Sequence, residues 1–293
     1  MKKVRKAVLP VAGLGTRVLP ATKSIPKEML PVFDRPAIQY VVDEALEAGI
    51  EHLVFVTGRN KGAIEDYFDR AYELETTLQN KGKDDVLAEL EASIPEPGSM
   101  SFVRQQAPKG LGHAIWCARD VIGDEPFAIL LPDVLVKAAP SCLAQMTAAY
   151  EQSGGGNVIA VEEVAREDVN KYGIIDPEGG TEGVIKMKGM VEKPDVDSAP
   201  SNLSITGRYI LQPEIFKLLA TQGRGAGNEI QLTDAMARLM EEQAFHAVKY
   251  EGRSYDCGNK IGYLTAIAAY ALNDAEWGAE ARQALADALD GAS

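Results

Sequence analysis

The chain has 293 residues, 46% of them hydrophobic, enough to bury a substantial core as one large domain or two small ones. Its 30 basic and 43 acidic side chains give a formal net charge of −13, which argues against a nucleic-acid-binding or acidic-membrane surface. The three cysteines, Cys117, Cys142 and Cys257, are odd in number and lack metal-ligand spacing, so a disulfide framework is not expected and a reduced, cytoplasmic setting is. No run approaches the ~18 apolar residues of a membrane span. The apolar stretch at residues 7–12 is also too short, and too soon broken by glycine, for a signal peptide.

Residues 4–12 read as a buried strand that ends in Gly13-Leu14-Gly15-Thr16-Arg17. Glycines after a strand let backbone amides approach an anion with no side chain between, and Arg17 and Lys27 would supply charge. A dinucleotide fingerprint is excluded because Val18 stands where its third glycine belongs and Pro20, Pro26 and Pro31 follow. The Gly-Lys-Ser/Thr of a Walker-type loop is absent as well. The loop must therefore stay irregular for about 15 residues, a length that usually marks function. Residues 1–35 carry eight basic side chains against Glu28 and Asp34 alone, so the cations suit a small polyanion at one site. For the four cations from Lys2 to Lys6 a solvated tail is the better reading.

Further along, residues 37–48, 61–80, 112–120 and 139–152 show helical periodicity, and residues 52–57, 101–106, 127–132 and 157–163 read as strands between them. Residues 84–92 suggest a surface helix ended by Pro95-Glu96-Pro97-Gly98. This alternation predicts an α/β fold: a Rossmann-like open, mixed, mostly parallel sheet flanked by helices. After Gly154-Gly155-Gly156 come shorter strand candidates at 184–191, 203–211 and 245–250, read as a mixed continuation of the same sheet. Residues 261–292 are Ala-rich with helical spacing, giving one or two C-terminal helices that either cover the sheet or pack on another subunit. In open sheets ligands bind beyond the carboxyl ends of strands. Asp133, directly after the apolar run 127–132, stands at such an end and is placed to hold a divalent cation.

Taken in order, the glycine loop with Pro26-Lys27-Glu28-Met29-Leu30-Pro31, Gln106 with Gly110-Leu111-Gly112-His113-Ala114, and Leu131-Pro132-Asp133 resemble motifs of the sugar nucleotidyltransferase family. So do Lys171-Tyr172-Gly173, Val191-Glu192-Lys193-Pro194 and Tyr255-Asp256-Cys257-Gly258, and the likeness spans nearly the whole chain. The resemblance implies a Mg2+-dependent transfer of a uridylyl group from UTP to glucose 1-phosphate, giving UDP-glucose and pyrophosphate. Nucleotidyl transfer needs positioning and cations rather than a covalent nucleophile, so Arg17, Lys27 and Lys193 would be the catalytic cations. Ala12, Gly13, Gly15, Gln106 and Gly112 would bind the nucleotide, Gln106 matching the uracil edge through an amide that both donates and accepts. A surface glutamine at a strand end is the competing reading.

For the sugar phosphate the resemblance implies Gly173, Glu192 and Lys193, with Glu192 accepting from hydroxyls and Lys193 neutralising the phosphate. Adjacent strand residues face opposite ways, so both reach one ligand only where the strand ends or bends, and Pro194 favours a bend. Asp133 and Asp256 would be the metal ligands, although Asp256 beside Gly258 would also suit a simple turn. Thymidylyltransferases of the family carry a second glycine where this chain has Ala12, which favours uridylyl transfer by resemblance. A thymidylyltransferase and a non-catalytic nucleotide-sugar sensor of the same fold are the alternatives. The resemblance also implies one nucleotidyltransferase domain, with residues 1–150 mainly for nucleotide, a sugar-binding extension at 151–258 and C-terminal helices at 259–293, assembled as a homo-oligomer, a dimer or tetramer.

Overall fold

The computed structural model describes residues 1–291; Ala292, the last residue of the expected C-terminal helices, and Ser293 lie outside the described residues. Thirteen strands occur among the described residues. They are β1 (Lys6–Pro10), β2 (Pro31–Val32), β3 (Arg35–Pro36), β4 (His52–Thr57), β5 (Met100–Arg104), β6 (Phe127–Leu130) and β7 (Val134–Lys137) in the first half. In the second half they are β8 (Asn157–Glu163), β9 (Gly173–Glu178), β10 (Val184–Glu192), β11 (Leu203–Leu211), β12 (Phe245–Lys249) and β13 (Arg253–Asp256).

Nine of these form one sheet in the order β5-β4-β1-β6-β11-β8-β12-β10-β9. The first four run parallel, β11 is antiparallel to β6 and to β8, and β12 pairs parallel with β8. The sheet is therefore open and mixed, as the sequence implies. From β1 the chain winds out to β4 and β5, then returns to β6 on the other side of β1, creating the topological switch point where such sheets bind ligands.

Both faces of β1 and β6 are covered, which is why these strands read as unbroken apolar runs. Ala7, Leu9, Ala128 and Leu130 pack into one core beneath helices Ala37–Glu47 and Cys142–Gln152. Val8, Phe127 and Ile129 point into a second core with helices Leu111–Cys117, Ile215–Thr221 and Leu232–Leu239. Two short helices of that second core, together with β7, β9 and β13, were not anticipated from the sequence. The expected helix at 61–80 is broken into Gly62–Tyr67 and Tyr72–Asn80, because Phe68 is buried at the first helix end and Arg70 turns back onto Glu75. Helix Lys260–Leu272 inserts Ala266 into the first core, while Ile261 and Leu264 on it and Leu289 on helix Gly278–Asp290 stay exposed.

One ion pair ties these layers together. Arg208 of β11, fully buried, donates Nε to Glu44 Oε1 at 3.0 Å and Nη2 to Glu44 Oε2 at 2.8 Å. Its remaining N–H groups go to the carbonyls of Leu131 at 3.1 Å, Val134 at 2.8 Å and Gly207 at 3.3 Å, so all five donors of the guanidinium are used. Breaking such a pair strands a buried charge, at a cost of about 3–5 kcal/mol. Arg208→Met should lower the denaturation free energy by about that much, and adding Glu44→Leu should recover part of the loss. Equal stability of the single and double variants in urea titrations would contradict this role.

Candidate active site

The loop after β1 is irregular, as its prolines require, and consists of three single 3-10 turns, Thr16–Val18, Ala21–Lys23 and Lys27–Met29. Gly15 opens the first turn with φ 65°, a left-handed conformation that glycine adopts without strain, and its carbonyl accepts from Thr22 Oγ1 at 2.7 Å. The folded loop presents Arg17 and Lys27 to the end of β6. Lys27 Nζ lies 2.6 Å from Asp133 Oδ2, and Arg17 Nη2 lies 3.5 Å from the same oxygen.

Asp256 reaches this cluster through a two-stranded ribbon. β13 pairs with β7 so that Asp256 stands opposite Val134, and the Cys257 amide donates to the Asp133 carbonyl at 2.8 Å. Asp256 Oδ1 accepts from the Gly258 amide at 2.8 Å, so the expected turn is present, while Oδ2 lies 3.9 Å from Arg17 Nη1. A Cβ on Gly258 would stand 2.5 Å from Arg17 Nη2, 2.8 Å from Asp256 Oδ1 and 3.0 Å from Asp133 Oδ2. Glycine at 258 thus lets the Arg17 guanidinium and two carboxylates from distant segments converge without a clash. Among the described residues no set of three or more His, Cys, Asp or Glu is placed to hold a metal. Two carboxylates nevertheless suit magnesium, which takes its other ligands from phosphate and water. Burial pushes the Asp133 carboxyl up, but Lys27 and then Arg17 outweigh it and keep the group below its ordinary range.

Two cavities meet at Arg17 and Asp133. The first, about 530 Å³, is walled by Ala12, Gly13, Gly15, Lys27, Gln105 and Gly258 among others. The second, about 400 Å³, contains Gly173, Glu192, Lys193 and Asp256. Lys193 follows the last residue of β10 in a left-handed conformation, φ 47°, which is the bend that lets Glu192 and Lys193 line one space. Thr233 Oγ1 donates to Glu192 Oε2 at 2.7 Å, and Lys193 Nζ lies 3.5 Å from Glu192 Oε1. A Cβ on Gly173 would come 3.2 Å from Glu192 Oε2 and 3.1 Å from Ile205 Cδ1, so its glycine preserves that side of the cavity.

Two of the expected positions do not line either cavity. Gln106 is exposed; the residue on the wall is Gln105, which directly follows β5 and is held to β4 by its amide donating to the Thr57 carbonyl at 2.8 Å. Gln105 Nε2 donates to the Gly110 carbonyl at 3.0 Å and meets His113 Nδ1 at 3.1 Å. Burial, then Lys109, lowers the pKa of His113, so the imidazole is neutral at pH 7 and its Nδ1 can accept. Gly112 is buried, and its absent side chain makes room for Ile230 and Leu219, with the Gly112 amide donating to the Ile230 carbonyl at 2.9 Å. The sequence also left Thr233 and Glu162 unread. Glu162, which accepts from Ser254 Oγ at 2.6 Å and Tyr250 OH at 3.0 Å, lines the second cavity. No motif marks either residue.

A switch-point sheet with a cationic glycine loop and two carboxylates defines a class. The chain belongs to the nucleotidyl transferase family, whose model matches residues 6–273. Within that family it is 50% identical to the UTP–glucose-1-phosphate uridylyltransferase of Bacillus subtilis (strain 168), over 94% of both chains. Its fold matches a UTP-bound UGPase from Acinetobacter baumannii with TM-score 0.89 and 49% identity, covering 96% of this chain and 98% of that one. A UDP-glucose pyrophosphorylase complexed with UDP-glucose matches with TM-score 0.81 and 46% identity, covering 91% and 98%.

Because the folded pKa of Asp133 is depressed, its stabilisation is present above the unfolded value of about 4 and is lost as pH falls through the lower folded value. The stability of the wild type relative to Asp133→Asn should therefore shrink as pH drops below about 4. Guanidinium midpoints of both proteins across that range measure it. A gap that does not change with pH would contradict the pairing.

Proposed function

We propose that the chain transfers the uridylyl group of UTP to glucose 1-phosphate, giving UDP-glucose and pyrophosphate. The observation that carries this reading is the meeting of two cavities at Arg17 and Asp133, one walled by the glycine loop and the other by Glu192 and Lys193. Such a junction brings two phosphates together for in-line displacement. The uridylyltransferase relative and the matched complexes support the choice of substrates. Residues 1–150 then serve mainly the nucleotide and 151–258 mainly the sugar phosphate, within one continuous sheet.

Ala12, Gly13 and Gly15 leave the triphosphate close access to backbone. Arg17 can fork onto its oxygens and Lys27 adds a compact charge. Gln105 has both amide hydrogens engaged, so only Oε1 remains to face a base; it suits the N3–H of uracil and opposes the unprotonated N3 of cytosine. Lys193 meets the phosphate of the sugar, and Glu192, fixed by Thr233, accepts from sugar hydroxyls. Asp133 and Asp256 are the residues that would hold Mg2+. When bound, the ion would offset charge developing on the transferring phosphate.

Pyrophosphate release across UTP, dTTP, CTP, ATP and GTP, each with several sugar 1-phosphates, tests the reading. UTP with glucose 1-phosphate should be the best pair and CTP a poor substitute; release with every pair but that one would refute it. Lys193→Ala should raise KM for glucose 1-phosphate by roughly ten-fold or more while leaving KM for UTP within about two-fold. A shift in UTP saturation alone would reassign Lys193.

The same reading includes a homo-oligomer. Ile261, Leu264, Trp277 and Leu289 are exposed along the C-terminal helices and would be covered by a second copy. Light scattering at micromolar concentration should give a dimer or tetramer, and a strict monomer would reject the assembly. The three free thiols support the cytoplasmic setting.

A further inference from the structure

Behind the glycine loop lies a third cavity of about 120 Å³, which shares Gly13, Leu14 and Lys27 with the nucleotide cavity. Its wall carries four cations, Lys23, Lys27, Arg59 and Lys61, and no carboxylate, in a chain whose formal net charge is −13. Pockets for nucleosides or drug-sized molecules run to about 300–1,000 Å³, so this space admits only a small ligand. The charge on its wall selects an oxyanion.

The four cations are not equivalent. Lys61 is 5% exposed and is fixed from behind by Glu28, whose Oε2 lies 2.7 Å from Lys61 Nζ. Lys27 is engaged with Asp133 and stands against the loop, its Nζ 4.0 Å from where a Gly13 Cβ would be, on the wall common to both cavities. Lys23 and Arg59 make no ion pair among the described residues, so their charge is available to a ligand. A polyanion leaving the nucleotide cavity past Lys27 would meet these two next. Handing it from one set of cations to another lowers the barrier to release, a step that often limits turnover.

We propose that this cavity is a second oxyanion site, which receives inorganic pyrophosphate as it leaves the nucleotide cavity. The identity of the anion rests on the reaction proposed above; the oxyanion chemistry of the site does not. Lys23→Gln, Arg59→Gln and the double variant test it by two readouts: calorimetric titration of pyrophosphate into the substrate-free protein, and KM for pyrophosphate in the reverse reaction from UDP-glucose. Each single variant should weaken both by roughly three- to ten-fold, the double variant by more, and Arg59→Lys should regain much of the loss. KM for UDP-glucose should stay unchanged, and added salt should reduce the difference between wild type and variants. Pyrophosphate binding and KM unchanged in the double variant would overturn the site. Orthophosphate binding as tightly as pyrophosphate, with the same sensitivity to both substitutions, would assign the site to free phosphate and overturn its role in product exit. A wild type that binds pyrophosphate in this way yet makes no UDP-glucose would uphold the oxyanion site while refuting the reaction.

Discussion

The ion pair of Arg208 and Glu44 sets the frame for everything the cleft does. A guanidinium with no exposure is costly to desolvate, and it persists here because every one of its five N–H groups has an acceptor. Two of those acceptors, the carbonyls of Leu131 and Val134, flank Pro132-Asp133. The carboxylate at the junction of the two cavities is thus positioned by the core rather than by a surface loop. Glu44 extends the same constraint to the helix Cys142–Gln152 by accepting from the Leu143 amide at 3.2 Å. Sheet, flanking helices and site share one electrostatic fastening.

The second constraint is charge balance around Asp133. The loop is rich in cations, and Lys27 and Arg17 take Asp133 and Asp256 as partners. The contact of Lys27 is the tight one, with both side chains mostly shielded; that of Arg17, 62% exposed, is loose and weakened by solvent. A triphosphate brings oxygens that match both cations better than a carboxylate does, while a divalent cation suits the two carboxylates. The ion pairs therefore engage the same groups that a triphosphate and a divalent cation would take over.

Local signals carried most of what could be read from the sequence. The loop announced itself because a buried strand, two glycines, three prolines and unpaired cations lie within thirty residues, and Asp133 because a charge directly follows an apolar run. Glu192 and Lys193 can reach one ligand only where the strand bends, and the left-handed Lys193 supplies that bend. What the sequence does not carry is facing. Gln105 and Gln106 are equivalent in composition, and only the exact end of β5 decides which side chain enters the cavity. The close neighbour of Gly112 is Ile230, more than a hundred positions away, which no local signal reveals. Ribbon β7–β13, which delivers Asp256, and the helix that carries Thr233 are short, and their pairing is long-range, so neither leaves a periodic trace.

The account stands or falls on an exchange of partners at Asp133. A crystal structure of the protein with a non-hydrolysable α,β-methylene analogue of UTP and magnesium tests it most directly. Lys27 Nζ should leave Asp133 for a phosphate oxygen, and Asp133 and Asp256 should be the residues that hold the metal. A Lys27 that keeps its 2.6 Å contact with Asp133 while the triphosphate binds elsewhere would contradict the account.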